Sequence, residues 1–253
     1  AFLGAWTQAC ASTTAVKIVI LAGTYQMGAV DVKGPCKAPI EVQVDGTIQA
    51  PTNLANLKGA EQWFKVQHVN SFTLSGKGVF DGQGPIAWKQ NDCTTNKNCK
   101  MLCMNFGFNF LNKSIVRDLT SRDSKNFHVN VLACNNLTFD GFKISAPEDS
   151  PNTDGIHIGR STDVKVLNTN IATGDDCVSL GNPSKIKISK VSFKNIKGTS
   201  GTKEGVIFIC SSGAPCEGVE MTDVDLTFNV AATTAKCANV KPVITGKAPT
   251  CAA

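Results

Sequence analysis

One local pattern returns along this chain and limits what it can fold into: apolar, any, apolar, two of any kind, apolar or Thr, any, apolar. It reads Leu137, Phe139, Phe142, Ile144, then Val164, Val166, Thr169, Ile171, then Ile186, Ile188, Val191, Phe193, and last Val219, Met221, Val224, Leu226. An imperfect early copy is Phe72, Leu74, Val79, with Lys77 at the third position. From Leu137 onward the anchors stand 27, 22 and 33 residues apart. Each copy reads as two short strands joined by a bend, with side chains alternating inside and outside. A helical repeat needs longer apolar stripes, and a leucine-rich repeat needs a consensus that is absent. A sandwich takes a turn every 8–12 residues or so and leaves a fourfold pattern unexplained. The expectation is an all-β chain, a parallel β-helix with one coil per roughly 20–30 residues, stacked as a single domain over residues 1–253.

The N-terminal part is less regular. Lys17–Leu21, followed by Ala-Gly-Thr-Tyr, reads as strand and turn, and Glu41–Ile48 as another strand. Residues 83–105, polar and holding Pro85, read as a long loop pinned by Cys93–Cys99. Hydrophobic residues make up 42% of the 253 and charged ones 18%, which argues against disorder and against a coiled coil. No run of 18 apolar residues exists, so no membrane span is expected. The net charge of +5 suits an acidic partner without identifying one. The start, AFLGAWTQAC, has no initiator Met and no signal peptide, as in a processed product or a fragment.

Eleven cysteines in a chain with no C-x2-C pair point to disulfides and an oxidising, secreted setting rather than zinc. Cys93 with Cys99, Cys210 with Cys216 and Cys237 with Cys251 have spacings that suit small disulfide loops, and Cys10–Cys36 is a further pair. Eleven is odd, so at least one cysteine lacks a partner within the chain. Two sequons, Asn112-Lys-Ser and Asn136-Leu-Thr, are candidate glycosylation sites at Asn112 and Asn136.

Two segments align: Thr153-Asp154-Gly155-Ile156-His157-Ile158-Gly159 and Asp175-Asp176-Cys177-Val178-Ser179-Leu180-Gly181. Asp154 and Asp176 each lie ten residues ahead of an anchor, Val164 and Ile186, so they should occupy equivalent places on successive coils about 4.8 Å apart. Ile156, Val178, Ile158 and Leu180 then point inward, while His157 and Ser179 point out. Asp154, Asp175 and Asp176 gather in one patch, provided the chain bends at Asp175–Asp176 and spares Asp176 a buried position. Stacked like charges raise at least one pKa. Such a trio serves glycoside hydrolysis, which needs an acid for the leaving oxygen and a base for water. It also serves a calcium site, or is a solvated acidic turn.

Asn152-Thr153-Asp154 followed by Gly174-Asp175-Asp176-Cys177 resembles the first two signature motifs of the polygalacturonases, family 28 of the glycoside hydrolases. The run Ser150–Arg160 resembles the plant exopolygalacturonase branch, which includes pollen allergens, and the likeness extends from about Ala5 to Cys251. The resemblance implies a right-handed parallel β-helix and hydrolysis of α-1,4-galacturonosyl bonds in pectin, with inversion. It implies Asp175 as general acid, Asp154 and Asp176 as holders of the attacking water, and Asn152 as a substrate-positioning residue. It implies no metal and no cofactor, polygalacturonate as partner with neither nucleic acid nor membrane, a monomer, and a secreted, cell-wall location.

The departures are specific. The family's Gly-His-Gly and Arg-Ile-Lys motifs are absent, and the three histidines are His68, His128 and His157. Val178-Ser-Leu-Gly-Asn-Pro-Ser runs directly into Lys185-Ile-Lys-Ile, a stretch that in the family belongs near the C-terminal end. The resemblance therefore implies a shortened β-helix, with a lost block of coils and a seam near 182–185, and a cut-short N-terminal segment. It also implies that Cys177, whose usual partner precedes Gly-His-Gly, is a free thiol. The missing His, Arg and Lys support the carboxylates and grip the substrate's own carboxylate. Losing such contacts costs roughly 10²–10³ in rate. Continuing the ladder sets Lys203 beneath Asp175 and Glu204 beneath Asp176, in place of the lost groups. Little or no hydrolysis by the shortened chain is expected. The alternative reading is a non-catalytic extracellular isoform that binds pectin or acts as an allergen. A calcium-dependent pectate lyase is a third.

Overall fold

A computed structural model describes residues 1–91, 95–96, 99, 101–180 and 188–251. The fold is all-β, a parallel β-solenoid of about eight turns. Three ladders of parallel strands run its length. An eight-stranded sheet contains, in spatial order from its N-terminal edge, Val30–Lys33, Gln62–Gln67, Met104–Asn109, Val129–Leu132, Ile156–Gly159, Val178–Leu180, Glu204–Ile209 and Thr234–Ala238. The other two ladders join in one bent sheet of sixteen strands, because Ser189–Thr199 and Glu217–Phe228 each run through the bend without a break. Alternation explains the layering. Val129 and Val131, Ile156 and Ile158, Val178 and Leu180 are buried, and the residues between them face outward. Parallel in-register pairing then stacks like on like, so the interior is one continuous column of apolar side chains.

Corners repeat as faithfully as strands. After the narrow sheet, His68, Phe110, Ala133 and Arg160 occupy one ladder position, all with φ near +55°. Before the bent sheet's inner anchors, Lys113, Asn136, Asp163, Lys190 and Gly218 do likewise. A left-handed residue at each corner turns the chain sharply without breaking the flanking ladders.

The recurring pattern is real, but its third copy sits elsewhere than expected. Leu137, Val164, Val191 and Val219 stand one above another, at intervals of 27, 27 and 28. Phe193 pairs with Val166, so Val191, Phe193 and Ile196 form the third copy, not Ile186, Ile188, Val191 and Phe193. Apolar residues spaced by two on both sides of Val191 make the two frames locally equivalent, and only pairing chooses between them. In the early copy Phe80, not Val79, is the inner residue. Glu41–Ile48 is two strands, Ile40–Val44 and Thr47–Gln49.

A helix, Phe2–Ala11, lies where scarce helix signals give no reason to expect one. Trp6 and Ala9 are its buried residues, and Phe2 and Trp6 pack on Phe64 and Phe72, at ring separations of 5.7 and 5.9 Å. The helix therefore rests on the apolar column near its first coils. Cys10–Cys36 ties it to the corner after Val30–Lys33. Cys210–Cys216 and Cys237–Cys251 are also disulfides. Cys99 is disulfide-bonded, and its expected partner Cys93 lies outside the described residues. Cys177 is a free, buried thiol as expected, and so are Cys103 and Cys134, whose state the sequence leaves open. The expected seam near 182–185 lies outside the described residues.

Candidate active site

Asp154 precedes strand Ile156–Gly159, and Asp175 and Asp176 precede strand Val178–Leu180. These strands are neighbours, with Ile156 beside Val178, which carries Asp154 to the level of Asp176. The turns are stitched by backbone hydrogen bonds: Gly155 N–H donates to the Asp176 carbonyl at 2.8 Å and Ile156 N–H to that of Cys177 at 3.1 Å. Gly155 allows this closeness, because a Cβ there would stand 2.3 Å from the Cys177 carbonyl oxygen. The expected equivalence of Asp154 and Asp176 thus holds, although the anchor Ile186 that suggests it is not the true one. The turn from Ile144 to Ile156 is five residues longer than that from Ile171 to Val178, and the stretch from Leu180 to Val191 regains those five against Ile158 to Val164.

One oxygen from each of Asp154, Asp175 and Asp176 lies within 4.8 Å of the others. The expected bend is there. Thr173 Oγ1 donates to the Asp175 carbonyl at 2.8 Å and accepts from the Asp175 N–H at 3.2 Å. Asp175 Oδ1 accepts the Asp176 N–H at 2.7 Å. Thr153 Oγ1 accepts the Gly174 N–H at 3.2 Å, locking one acidic turn to the other. Gly174 is needed here: a Cβ would meet the Ser150 carbonyl oxygen at 2.3 Å. Asp154 is 7% exposed, while Asp175 and Asp176 are half-buried.

Burial pushes the Asp154 carboxyl up to about 7, helped by repulsion from Asp175 and Asp176 and opposed by its own backbone N–H and, least, by the nearby Ser179 hydroxyl. Burial, then Asp175, raises Asp176 to about 6. No cation figures among these influences. Lys203 and Glu204 do continue the ladder, since Ser179 pairs with Ile207 and Leu180 with Phe208. Both are exposed, and Lys203 makes no ion pair among the described residues, so it offers the trio no counter-charge. Three converging carboxylates can share a divalent cation, but an acidic cluster by itself marks no ion site.

Asn152 is exposed, with φ at +54°, and its amide donates to the Asn126 side-chain oxygen on the preceding coil. It makes no hydrogen bond to the carboxylates among the described residues. Asn112 and Asn136 are half-buried on strands Asn112–Arg117 and Asn135–Asp140. Missing from the expected site are His157 and Ser179. They pair in register, face outward, and join His157 Nδ1 to Ser179 Oγ at 2.8 Å. Their shared alternation with the two aspartate segments is the signal that could have found them.

The profile of Glycosyl hydrolases family 28 matches the chain in two stretches, residues 10–184 and 181–251. A polygalacturonase of Medicago sativa is 48% identical over 354 residues, covering 100% of this chain and 84% of that protein. An exopolygalacturonase of Oenothera organensis is 38% identical over 341 residues, covering 96% and 94%. The first alignment is longer than the 253 residues here, so the relative carries residues this chain lacks. Among solved structures, the polygalacturonase of Erwinia carotovora superposes with a TM-score of 0.69 at 16% identity, over 92% of this chain and 75% of that one. An exopolygalacturonase of Thermotoga maritima gives 0.56 at 13%, over 89% and 72%. At those identities the superpositions speak for the β-helix alone.

Proposed function

The chain belongs to family 28 of the glycosyl hydrolases, and from that premise we propose that it is directed at polygalacturonate in the plant cell wall. The observation that carries this reading is the convergence of Asp154, Asp175 and Asp176 within 4.8 Å in a partly buried patch. Asp175 is assigned as the acid that protonates the leaving oxygen. Asp154 and Asp176 hold and deprotonate the attacking water, and Asn152 lines the approach. Secretion as a monomer, with glycans at Asn112 and Asn136, completes the reading; the disulfides Cys10–Cys36, Cys210–Cys216 and Cys237–Cys251 agree with an oxidising compartment.

Stereochemistry is where resemblance and geometry pull apart. Inverting carboxylate pairs usually stand about 6.5–9.5 Å apart, farther than these oxygens. Inversion is nonetheless our assignment, because a covalent path uses two carboxylates, and a third is accounted for by a water held between Asp154 and Asp176.

We also propose that a block of coils has been lost near 182–185 and that turnover is therefore low. The two-stretch family match, meeting at 181–184, supports the seam. The missing Gly-His-Gly and Arg-Ile-Lys motifs and the lack of any cation influencing Asp154 or Asp176 support the weak activity. A polyanionic substrate entering such a patch raises both carboxyls further and leaves a smaller fraction of each ionised to act as a base. The purified chain and its D175N variant should be compared for reducing-sugar release from polygalacturonate, with the first-formed anomer read by NMR. Slow release, abolished by the substitution and giving the inverted anomer, is expected. Release equal to a full-length relative would show the lost coils to be dispensable. Release indifferent to D175N would leave the pectin-binding reading.

A further inference from the structure

We propose that the corner formed by Phe110, Ala133 and Arg160 is a second, non-catalytic binding site, which takes one uronic acid residue of a polygalacturonate chain between the Phe110 ring and the Arg160 guanidinium. This rests on the reading of the chain as directed at polygalacturonate.

His68, Phe110, Ala133 and Arg160 follow the neighbouring strands Gln62–Gln67, Met104–Asn109, Val129–Leu132 and Ile156–Gly159, at one ladder position. Their φ angles are 56°, 54°, 54° and 55°. Backbone hydrogen bonds carry the ladder into the corner. His68 N–H donates to the Asn109 carbonyl at 3.0 Å, Phe110 N–H to that of Leu132 at 2.8 Å, and Ala133 N–H to that of Gly159 at 3.0 Å. Like corners in register send their Cα–Cβ bonds out in parallel, one rung of about 4.8 Å apart. The first two side chains show the result: the His68 and Phe110 rings stack at 4.6 Å with 5° between their planes. Ala133 ends at its Cβ, so the third place in the stack is open. Arg160 leaves the chain one rung further on.

Phe110 is 47% exposed, and a bulky residue is a poor choice for a left-handed corner, so neither core packing nor turn chemistry accounts for it. Arg160 is exposed and makes no ion pair among the described residues. Two rungs, about 9.6 Å, separate Phe110 from Arg160. That is twice the spacing at which His68 already lies on Phe110, which leaves room for one ring. A galacturonate residue matches both walls. The C–H bonds on the face of its pyranose carry partial positive charge and meet the negative face of the Phe110 ring. Its carboxylate accepts a forked pair of hydrogen bonds from the guanidinium. A neutral sugar answers the first wall alone. The corner is not the acidic patch: Asp154 and Arg160 lie beyond opposite ends of strand Ile156–Gly159, six residues and up to about 20 Å apart. No cation influences Asp154 or Asp176, and the corner supplies to the polyanion the positive charge that the carboxylates lack. One residue of the polymer is held here while the carboxylates act on another.

The probe is trigalacturonate titrated into the full chain, with the neutral trisaccharide of galactose beside it and the ¹⁵N signals of the Ala133 amide and Arg160 Nε–H as readout. Saturable shifts of both signals with the uronate are expected, and binding about tenfold weaker with the neutral sugar. F110N removes the ring and R160N the guanidinium, each with a residue that suits the left-handed corner. Read at the Ala133 amide, each should weaken binding about tenfold. A133F sets a third ring in the open place and should abolish it. Equal affinity for the neutral sugar overturns the uronate assignment, and parental affinity in any of the three variants overturns the slot. Reducing-sugar release keeps this inference apart from the catalytic reading. Release without shifts at Ala133 and Arg160 ends the slot alone. Shifts without release support the slot and end the hydrolysis, and the absence of both ends both.

Discussion

The coils on either side of residues 181–187 are built on one plan but packed to different standards. Up to Phe142 the interior is linked by aromatic contacts. Trp63 and Phe64 meet Phe80 at 5.8 and 5.3 Å, Phe80 meets Phe106 at 4.7 Å, and Phe106 meets Phe142 at 6.0 Å. Beyond the gap, among the described residues, the aromatic contact is Phe193 with Phe208 at 5.9 Å. There the column leaves a partly open apolar space of 20 Å³ lined by Cys177, Val178, Gly205 and Val206 among others. The sixteen-stranded sheet keeps intervals of 27, 27 and 28 through these coils. The eight-stranded sheet does not, stepping 22 residues from His157 to Ser179 and 28 from Ser179 to Ile207. In a solenoid each coil answers chiefly to its neighbours, so a block of coils can be lost at the expense of packing at one interface. That interface is also the one beside Asp175 and Asp176.

The largest expected effect tests the difference in packing. Phe106 is fully buried and touches Phe64, Phe80, Phe108 and Phe142. Its replacement by Ala should cost about 3–5 kcal/mol in denaturant unfolding. Phe193→Ala, beside the existing space, should cost less, near the lower end of that range at about 3 kcal/mol. Equal losses would mean that the two halves are packed alike and that the comparison has no energetic content.

A smaller effect comes from the acidic patch. The folded-state carboxyl of Asp154 titrates at about 7, against 3.8 for an unperturbed Asp. The folded chain therefore binds that proton more tightly than the unfolded chain, and stability falls as pH rises through that window. Asp154→Asn removes the liability. It should stabilise by on the order of 1–2 kcal/mol at pH 8, a few degrees in Tm, and by almost nothing below pH 4. Melting curves of both proteins across that range check it. A gain that persists at pH 4 would place its origin outside titration.

These particulars show what the chain's order of residues can and cannot disclose. Stacking of Asp154 on Asp176 is legible because alternation fixes faces and the segments share a pattern. The third repeat is not, because Ile186, Ile188, Val191 and Phe193 satisfy the same alternation as the true copy at Val191, Phe193 and Ile196. Choosing needs the partner strand. The helix at Phe2–Ala11 escapes because its apolar residues Phe2, Trp6 and Ala9 acquire meaning only against the exposed end of the column. Cys103 and Cys134 escape because a buried thiol and half of a disulfide look alike until distances exist. Alternation sends His157 and Ser179 outward, as the structure does, but the 2.8 Å contact between them appears only once the two strands are set in register.

The smallest effect sharpens the comparison at the apolar space itself. Val206 is 7% exposed and lines the 20 Å³ space, a volume about that of a single water. The lining is wholly apolar, so a water there would find no partners, and the space is a packing deficit rather than a solvation site. Val206→Ile adds one methylene, worth about 0.8 kcal/mol when buried without strain. Val131 has the same chemistry on the N-terminal side, is fully buried, and does not line this space. There the added methylene must displace neighbours, at a cost of about 1–3 kcal/mol. Val206→Ile should therefore raise Tm by a degree or two while Val131→Ile lowers it. The opposite signs of one substitution are the measurement. If both variants melt below the parent, the space closes in solution, and the coils beside Asp175 and Asp176 fit as tightly as those on the N-terminal side.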